Sequence, residues 1–323
     1  MTLHYDEPPV VVVIGDSNPD LVLGGDTVPR FGQAEQLLDS ADLVLGGSAA
    51  IVACGLARLG VPTALVTSLG DDLFGTFVRG ELTEAGVNTR WVTRRADVPT
   101  GVTVVLSGHG RALLTHPGTI GLLRRSDVPG ELLAVARHVH VASYFLQPGL
   151  AAELPALFAQ AHGAGTTASL DTNWDPAERW DGVRDVLPYV DVLLPNAAEL
   201  LALAGTGGAE DDPAALERAA RSLGSGRTTI ALKAGRDGGV VWTPDRQRFT
   251  APIRAVDVVD TTGAGDSFNA GYLSGYVEGL SSADCLSRAV ACGSLSTRAA
   301  GGTAAQPTRA ELAAELSGGG LAD

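Results

Sequence analysis

From Val10 to Ile14 the chain runs V-V-V-V-I, an unbroken series of β-branched apolar residues. A strand with one wet face would alternate apolar and polar positions. A continuous run belongs to a strand buried on both sides, as in a parallel sheet covered by helices. Strand-like segments follow at Thr63 to Ser68, Val139 to Ala142, Thr167 to Asp171, Val190 to Leu194, Thr228 to Leu232, Gly239 to Thr243 and Arg248 to Ala251. Between them lie helical patterns: Ser48 to Leu59, Asp72 to Ala85, Leu150 to His162, Glu178 to Leu187, a helix ending at Leu223, Gly263 to Glu278 and Ser282 to Arg298. That alternation predicts an α/β fold, a doubly wound and mostly parallel sheet flanked by helices.

The rhythm breaks twice. Leu21 to Leu45 is polar and glycine-rich with short apolar patches. Between Trp91 and Thr115, two strand-like runs (Val102 to Leu106, Ala112 to Thr115) flank the turn S-G-H-G-R. The expectation is a single α/β domain over 1–323, with a small β-sheet lid formed by about 16–45 and 91–118 inserted in it. At 45% hydrophobic residues the chain can bury a large core. A net charge of −14, with Lys233 the only lysine among 23 basic residues, argues against nucleic acid or an anionic membrane as partner. Cys54, Cys285 and Cys292 show no metal spacing, and the opening M-T-L-H-Y-D-E does not resemble a signal peptide; a cytoplasmic location is expected.

The chemistry concentrates at V-D-V-V-D-T-T-G-A-G-D-S-F-N-A-G-Y-L, Val256 to Leu273. An extended apolar lead-in, Val256 to Val259, gives way to the turn Gly263-Ala264-Gly265, and Asp266 opens a helix. Free amides at a helix N-terminus, together with the dipole, attract an anion. A carboxylate placed there competes with that anion unless it serves a hydroxyl about to attack it. The pattern therefore points to phosphoryl transfer, with Asp266 as base and the amides of Gly263, Ala264 and Gly265 as the anion hole. An aspartate that merely caps the helix is the bland alternative.

D-T-T-G-A-G-D-S-F-N-A-G resembles the C-terminal signature of the ribokinase-like (PfkB) carbohydrate kinases, and G-G-S-A-A-I-V-A-C-G-L-A-R-L-G (Gly46 to Gly60) resembles their N-terminal one. The resemblance spans nearly the whole chain. It implies a kinase that uses ATP and Mg²⁺ on a sugar-like alcohol, a lid over the cleft, and a homodimer. On the acceptor side it implies roles for Asp20 with Asn18, for Gly46 and Gly47, and for Gln147. Read from spacing alone, Asn18 and Asp20 form an Asx turn before Pro19, and Gln147 is equally a loop amide. The family usually carries Asn where this chain has Ile51, so the acceptor is expected to be less hydroxylated there or differently bound.

On the nucleotide side the resemblance places Mg²⁺ and phosphate near Asn196 and Glu199 of P-N-A-A-E, with Glu199 reaching the metal through water; an Asn cap with an acid in the first turn accounts for the same residues. K-A-G-R-D-G-G, Lys233 to Gly239, resembles the loop along the nucleotide and brings in Lys233, Gly235 and Gly238, whereas Arg236 and Asp237 read as plain hairpin. Asp260 and Thr262, with Ala299 to Gly302, match a monovalent-cation (K⁺) site of several relatives, or else Asp260 simply orders the turn. Asp171 and Asn173 lie at a strand end facing the cleft, where relatives often carry a basic residue and this chain has Asp175. Arg111 and His116 fall in the lid.

Two other readings fail on spacing. A dinucleotide fingerprint needs a third glycine where Phe268 stands, and a P-loop needs Ser or Thr after a lysine that here precedes Ala234. Within the family a nucleoside kinase is the alternative, and from another class a non-catalytic sugar or nucleotide sensor.

Overall fold

The computed structural model describes residues 8–32, 35–108, 110–224 and 226–318. Its strands in chain order are β1 (Val11–Ile14), β2 (Asn18–Gly24), β3 (Ser40–Gly46), β4 (Thr63–Gly70), β5 (Val92–Arg95), β6 (Val102–Ser107), β7 (Arg111–His116), β8 (His138–Val141), β9 (Thr167–Leu170), β10 (Val192–Leu193), β11 (Thr229–Lys233), β12 (Gly239–Trp242) and β13 (Arg248–Ala251). Nine of them form one sheet in the order β13-β12-β11-β10-β9-β8-β1-β4-β5. From β5 to β11 neighbours run parallel, and β12 then turns back against both β11 and β13. The other four form a separate sheet, β3-β2-β6-β7.

The V-V-V-V-I run lies at the centre. In β1 all of Val11 to Ile14 are fully buried, paired with β4 on one side and β8 on the other. Alternate residues enter opposite core layers. Val12 and Ile14 pack with Val139, Phe158 and Leu170, while Val11 and Val13 pack with Leu56, Leu65 and Tyr272. Burial on both faces removes the need for polar alternation.

Several elements differ from the sequence expectation. Val92–Arg95, expected in the lid, instead pairs with β4 at the edge of the large sheet, because its alternation suits an edge strand in either sheet. Glu178 to Leu187 is helical only over Val183–Val186; Glu178 and Trp180 sit at φ 52° and 59°, which no helix accommodates. Val256 to Val259 is not a strand. The segment leaves the sheet after β13 and is held by the N–H groups of Val259 and Asp260, both donating to the Thr297 carbonyl. The helix expected from Leu150 to His162 is two pieces, Pro148–Ala151 and Leu154–Gly163, with Pro155 at the start of the second, and Arg309–Gly318 adds a helix that was not anticipated.

Candidate active site

The polar residues of interest gather at the carboxyl ends of β1, β8, β9 and β11, around the start of the helix Ala264–Val277. Gly263 caps that helix at φ 69°, a left-handed conformation. A Cβ there would lie 2.7 Å from Gly302 Cα, so the turn packs directly on the Gly301–Gly302 backbone. The Ala264 N–H donates to Thr261 O at 3.2 Å. Among the described residues, the amides of Gly263 and Gly265 donate to no carbonyl outside the helix. Two of the three expected amides are therefore open, and the third is engaged.

The Asp266 carboxylate accepts a hydrogen bond from the Ser48 hydroxyl, whose oxygen accepts in turn from Asn173 Nδ2 at 3.3 Å. Burial pushes Asp266 up to about 8; the charges of Asp171 and Asp16 add to this, while Ser48 and Lys233 oppose it. Ser48 opens the helix Ser48–Arg58, whose N-terminus is capped from another part of the chain. Asp16 Oδ2 accepts from the Ser48 N–H and Oδ1 from that of Ala49, both at 3.1 Å. Burial raises Asp16 as well, against these hydrogen bonds. Neither Asp16 nor Ser48 stands out in the sequence as a site residue, because their partners lie 32 and 218 positions away.

Asn18 and Asp20 form the entry to β2. Asn18 Nδ2 donates to Asp20 Oδ1 at 2.8 Å and to Thr103 Oγ1 on β6 at 3.3 Å. A Cβ on Gly46 would overlap the Asp20 carboxylate, and one on Gly47 would lie 2.8 Å from Asp16 O. Both glycines are thus needed for this approach. Gln147 is no surface amide: it is buried, Nε2 donates to Ala142 O at 2.7 Å, and Oε1 has no partner among the described residues. Ile51 is buried and points at the glycine turn, with its Cγ2 3.2 Å from a Cβ built on Gly263 and its Cδ1 2.6 Å from one built on Gly302. The Asp175 carboxylate is taken up locally, accepting from the N–H groups of Ala177, Arg179 and Trp180.

On the opposite side, Lys233 ends β11. Its ammonium pairs with Asp171 Oδ2 at 2.6 Å and lies 3.8 Å from a Cβ built on Gly265. Burial works to strip its proton, but Asp171 and Glu199 outweigh that and hold its pKa above the ordinary lysine value. Asn196 and Glu199 form a reciprocal cap on the helix Ala197–Ala204, each side chain accepting the other's N–H at 2.9 Å. Burial raises Glu199, with Lys233 opposing. Gly235 and Gly238, at φ 55° and 83°, turn the β11–β12 hairpin. That hairpin also walls a cavity of about 320 Å³ whose floor includes Ile253, Val256, Val258, Phe268 and Val290. Sequence reasoning missed this apolar pocket; its one signal was the surplus of valine in a segment that is no strand. Asp260 Oδ1 accepts from the Thr262 N–H at 2.9 Å and hydroxyl at 2.7 Å, and Oδ2 from the Gly301 N–H at 2.9 Å, which ties the turn to the segment after the last long helix of the core.

A doubly wound sheet with a second, four-stranded sheet at its cleft defines the class: a ribokinase-fold α/β protein. Arabidopsis thaliana ribokinase, solved in complex with ribose and ATP, superposes with a TM-score of 0.84 at 25% identity, covering 96% of this chain and 99% of that one. The model of the pfkB family carbohydrate kinases matches residues 9–309, and the chain belongs to that family. Among its curated relatives, a 2-dehydro-3-deoxygluconokinase of Bacillus subtilis is 33% identical over 288 residues, spanning 84% of this chain and 86% of that protein. An ATP-dependent ribose-1-phosphate kinase of Halopiger xanaduensis is 33% identical over 311 residues, spanning 95% and 98%.

Proposed function

We propose that this chain transfers the γ-phosphoryl group of ATP to a hydroxyl of a sugar-like acceptor, with Asp266 as the general base. One observation carries the reading: a carboxylate at a helix start, bonded to a hydroxyl (Ser48), beside a glycine turn with open amides and a lysine ammonium. The acceptor hydroxyl takes the place of Ser48 at Asp266. As its oxygen bonds to the γ-phosphorus, its proton passes to the carboxylate and the bond from phosphorus to the β-bridging oxygen breaks, releasing ADP. The amides of Gly263 and Gly265 receive charge on the transferred group. Asn18, Asp20 and Gln147 offer donors and acceptors to the acceptor's other hydroxyls. The apolar cavity beside Gly235 and Gly238 suits a nucleotide base.

Mg²⁺ fits the residues present. Glu199 is a buried carboxylate beside the Lys233 ammonium, with Oε2 accepting from the Asn196 N–H, and it would hold the ion through the ion's own waters. Bound there, Mg²⁺ supplies neutralisation of phosphate charge. The same reading puts K⁺ at the turn that Asp260 ties to Gly301, and turnover in potassium against tetramethylammonium salts tests it. Buried, unpaired Cys54, Cys285 and Cys292 suit a cytoplasmic protein, and no helix among the described residues is long and apolar enough to cross a membrane.

The test is ADP release across a panel of sugars and nucleosides with melting shifts read in parallel. A kinase releases ADP with at least one acceptor. A sensor on this fold shifts its melting temperature and releases none, and that result overturns the proposal.

A further inference from the structure

Asp171 directly follows β9, is fully buried and has both carboxylate oxygens engaged within the protein. Its carboxylate joins three elements. Oδ2 accepts from Lys233 Nζ on β11 and from Asn269 Nδ2 on the helix that Asp266 opens, both at 2.6 Å. Oδ1 accepts from the Asn173 N–H at 3.1 Å. Asn173, held at φ 52°, then bonds Ser48, and Ser48 bonds the base. Lys233 is flanked by acids: Asp171, Glu199 and Asp266 all act on it, and only Asp171 holds it in a direct ion pair.

We infer that Asp171 is a positioning residue, which holds the Lys233 ammonium beside the glycine turn, where it faces phosphate, and keeps it from closing onto Asp266. Without that carboxylate, the nearest remaining acids for a buried ammonium are Glu199 and the base itself. An ammonium paired with Asp266 stabilises the ionised form, lowers its basicity and blocks the acceptor hydroxyl. The sequence hints at none of this, since Asp171 and Lys233 are 62 residues apart.

The inference rests on the kinase reading, and the near-isosteric Asp171→Asn variant tests it separately. With a phosphorylatable acceptor, kcat is expected to fall by about tenfold to a hundredfold, the scale of a misplaced catalytic group. The KM for ATP rises, and the acid limb of kcat/KM moves to lower pH. The groups that set that limb are Asp266 with Asp171, Asp16, Lys233 and Ser48 around it, and Glu199 behind Lys233. In the Lys233→Gln background, adding Asp171→Asn removes only the direct Asp171 charge, so the limb moves less than it does with the lysine present, and an equal shift in the two backgrounds overturns the inference. A folded Asp171→Asn protein with wild-type kcat, KM and pH profile overturns the inference while leaving the kinase reading intact. If that variant does not fold, Asp171→Glu decides, because it keeps the charge and displaces it by one methylene: wild-type kcat and KM for ATP overturn the inference, and a lowered kcat with a raised KM for ATP upholds it. Wild-type turnover in Asp266→Asn defeats the kinase reading instead.

Discussion

Asp266 carries two opposing demands, because the burial that makes it a good base also makes its charge costly. With its pKa pushed up to about 8, the free protein holds the proton through neutrality, so kcat/KM is expected to rise with pH until about 8. Asp266→Asn should lose about two to four powers of ten in kcat while still binding ATP, as measured by steady-state kinetics and nucleotide titration. The same variant has a stability signature. Between the unfolded value of 3.8 and about 8 the folded state holds the extra proton, so the native aspartate loses stability as pH rises across that window. Asp266→Asn is therefore expected to melt above the wild type at pH 8 and level with it near pH 4, by calorimetry. Ser48→Ala separates the hydroxyl's role from the base's. The hydroxyl stabilises the ionised form, so its removal moves the acid limb above about 8 in the pH profile.

Strands and helices here do more than carry side chains to the cleft. β8 and β9 place His138, His140, Thr167 and Ser169 on one buried face by their two-residue repeat. His138 bonds Thr167 and Ser169 at 2.8 and 2.7 Å, and His140 bonds Ser169 at 2.8 Å. Burial drives His138 down to about 3 and His140 to about 4, so both fold as neutral rings. As pH falls below 6.5 the unfolded chain takes up protons that these rings refuse, and stability is lost progressively toward pH 4. Urea melts at pH 7 and pH 5 should show that loss, and His138→Gln should reduce it. At the helix start, Gly263→Ala forces a side chain into φ 69° and onto Gly302. Activity should fall steeply, with a stability cost of about 1–3 kcal/mol from a denaturant titration.

At the scale of the whole molecule, the four-stranded sheet leaves apolar side chains in solvent: Leu43 on one edge strand and Leu113 and Leu114 on the other are 42, 59 and 57% exposed. Edges of this kind invite pairing with a second copy, and we propose that the homodimer implied by the sequence resemblance covers them. Light scattering should give twice the chain mass, and Leu114→Glu should shift it toward one. Much of the large sheet was legible in the chain itself, because burial on both faces writes unbroken apolar runs such as Val10 to Ile14 and because glycine turns before helices have few local solutions. Boundaries failed where one local pattern suits two tertiary settings: Val92–Arg95 fits either sheet, and Val256 to Val259 lines a cavity instead of a ladder. By itself the sequence determined which residues form the strands around β1, the glycine turn and the acid that follows it, all properties of neighbours along the chain. Only the tertiary structure decided that Asp16 caps a distant helix, that Ser48 meets Asp266 and that Asp171 holds Lys233. Those contacts join residues 32 to 218 positions apart, and no local propensity encodes which side chains the packed core brings together.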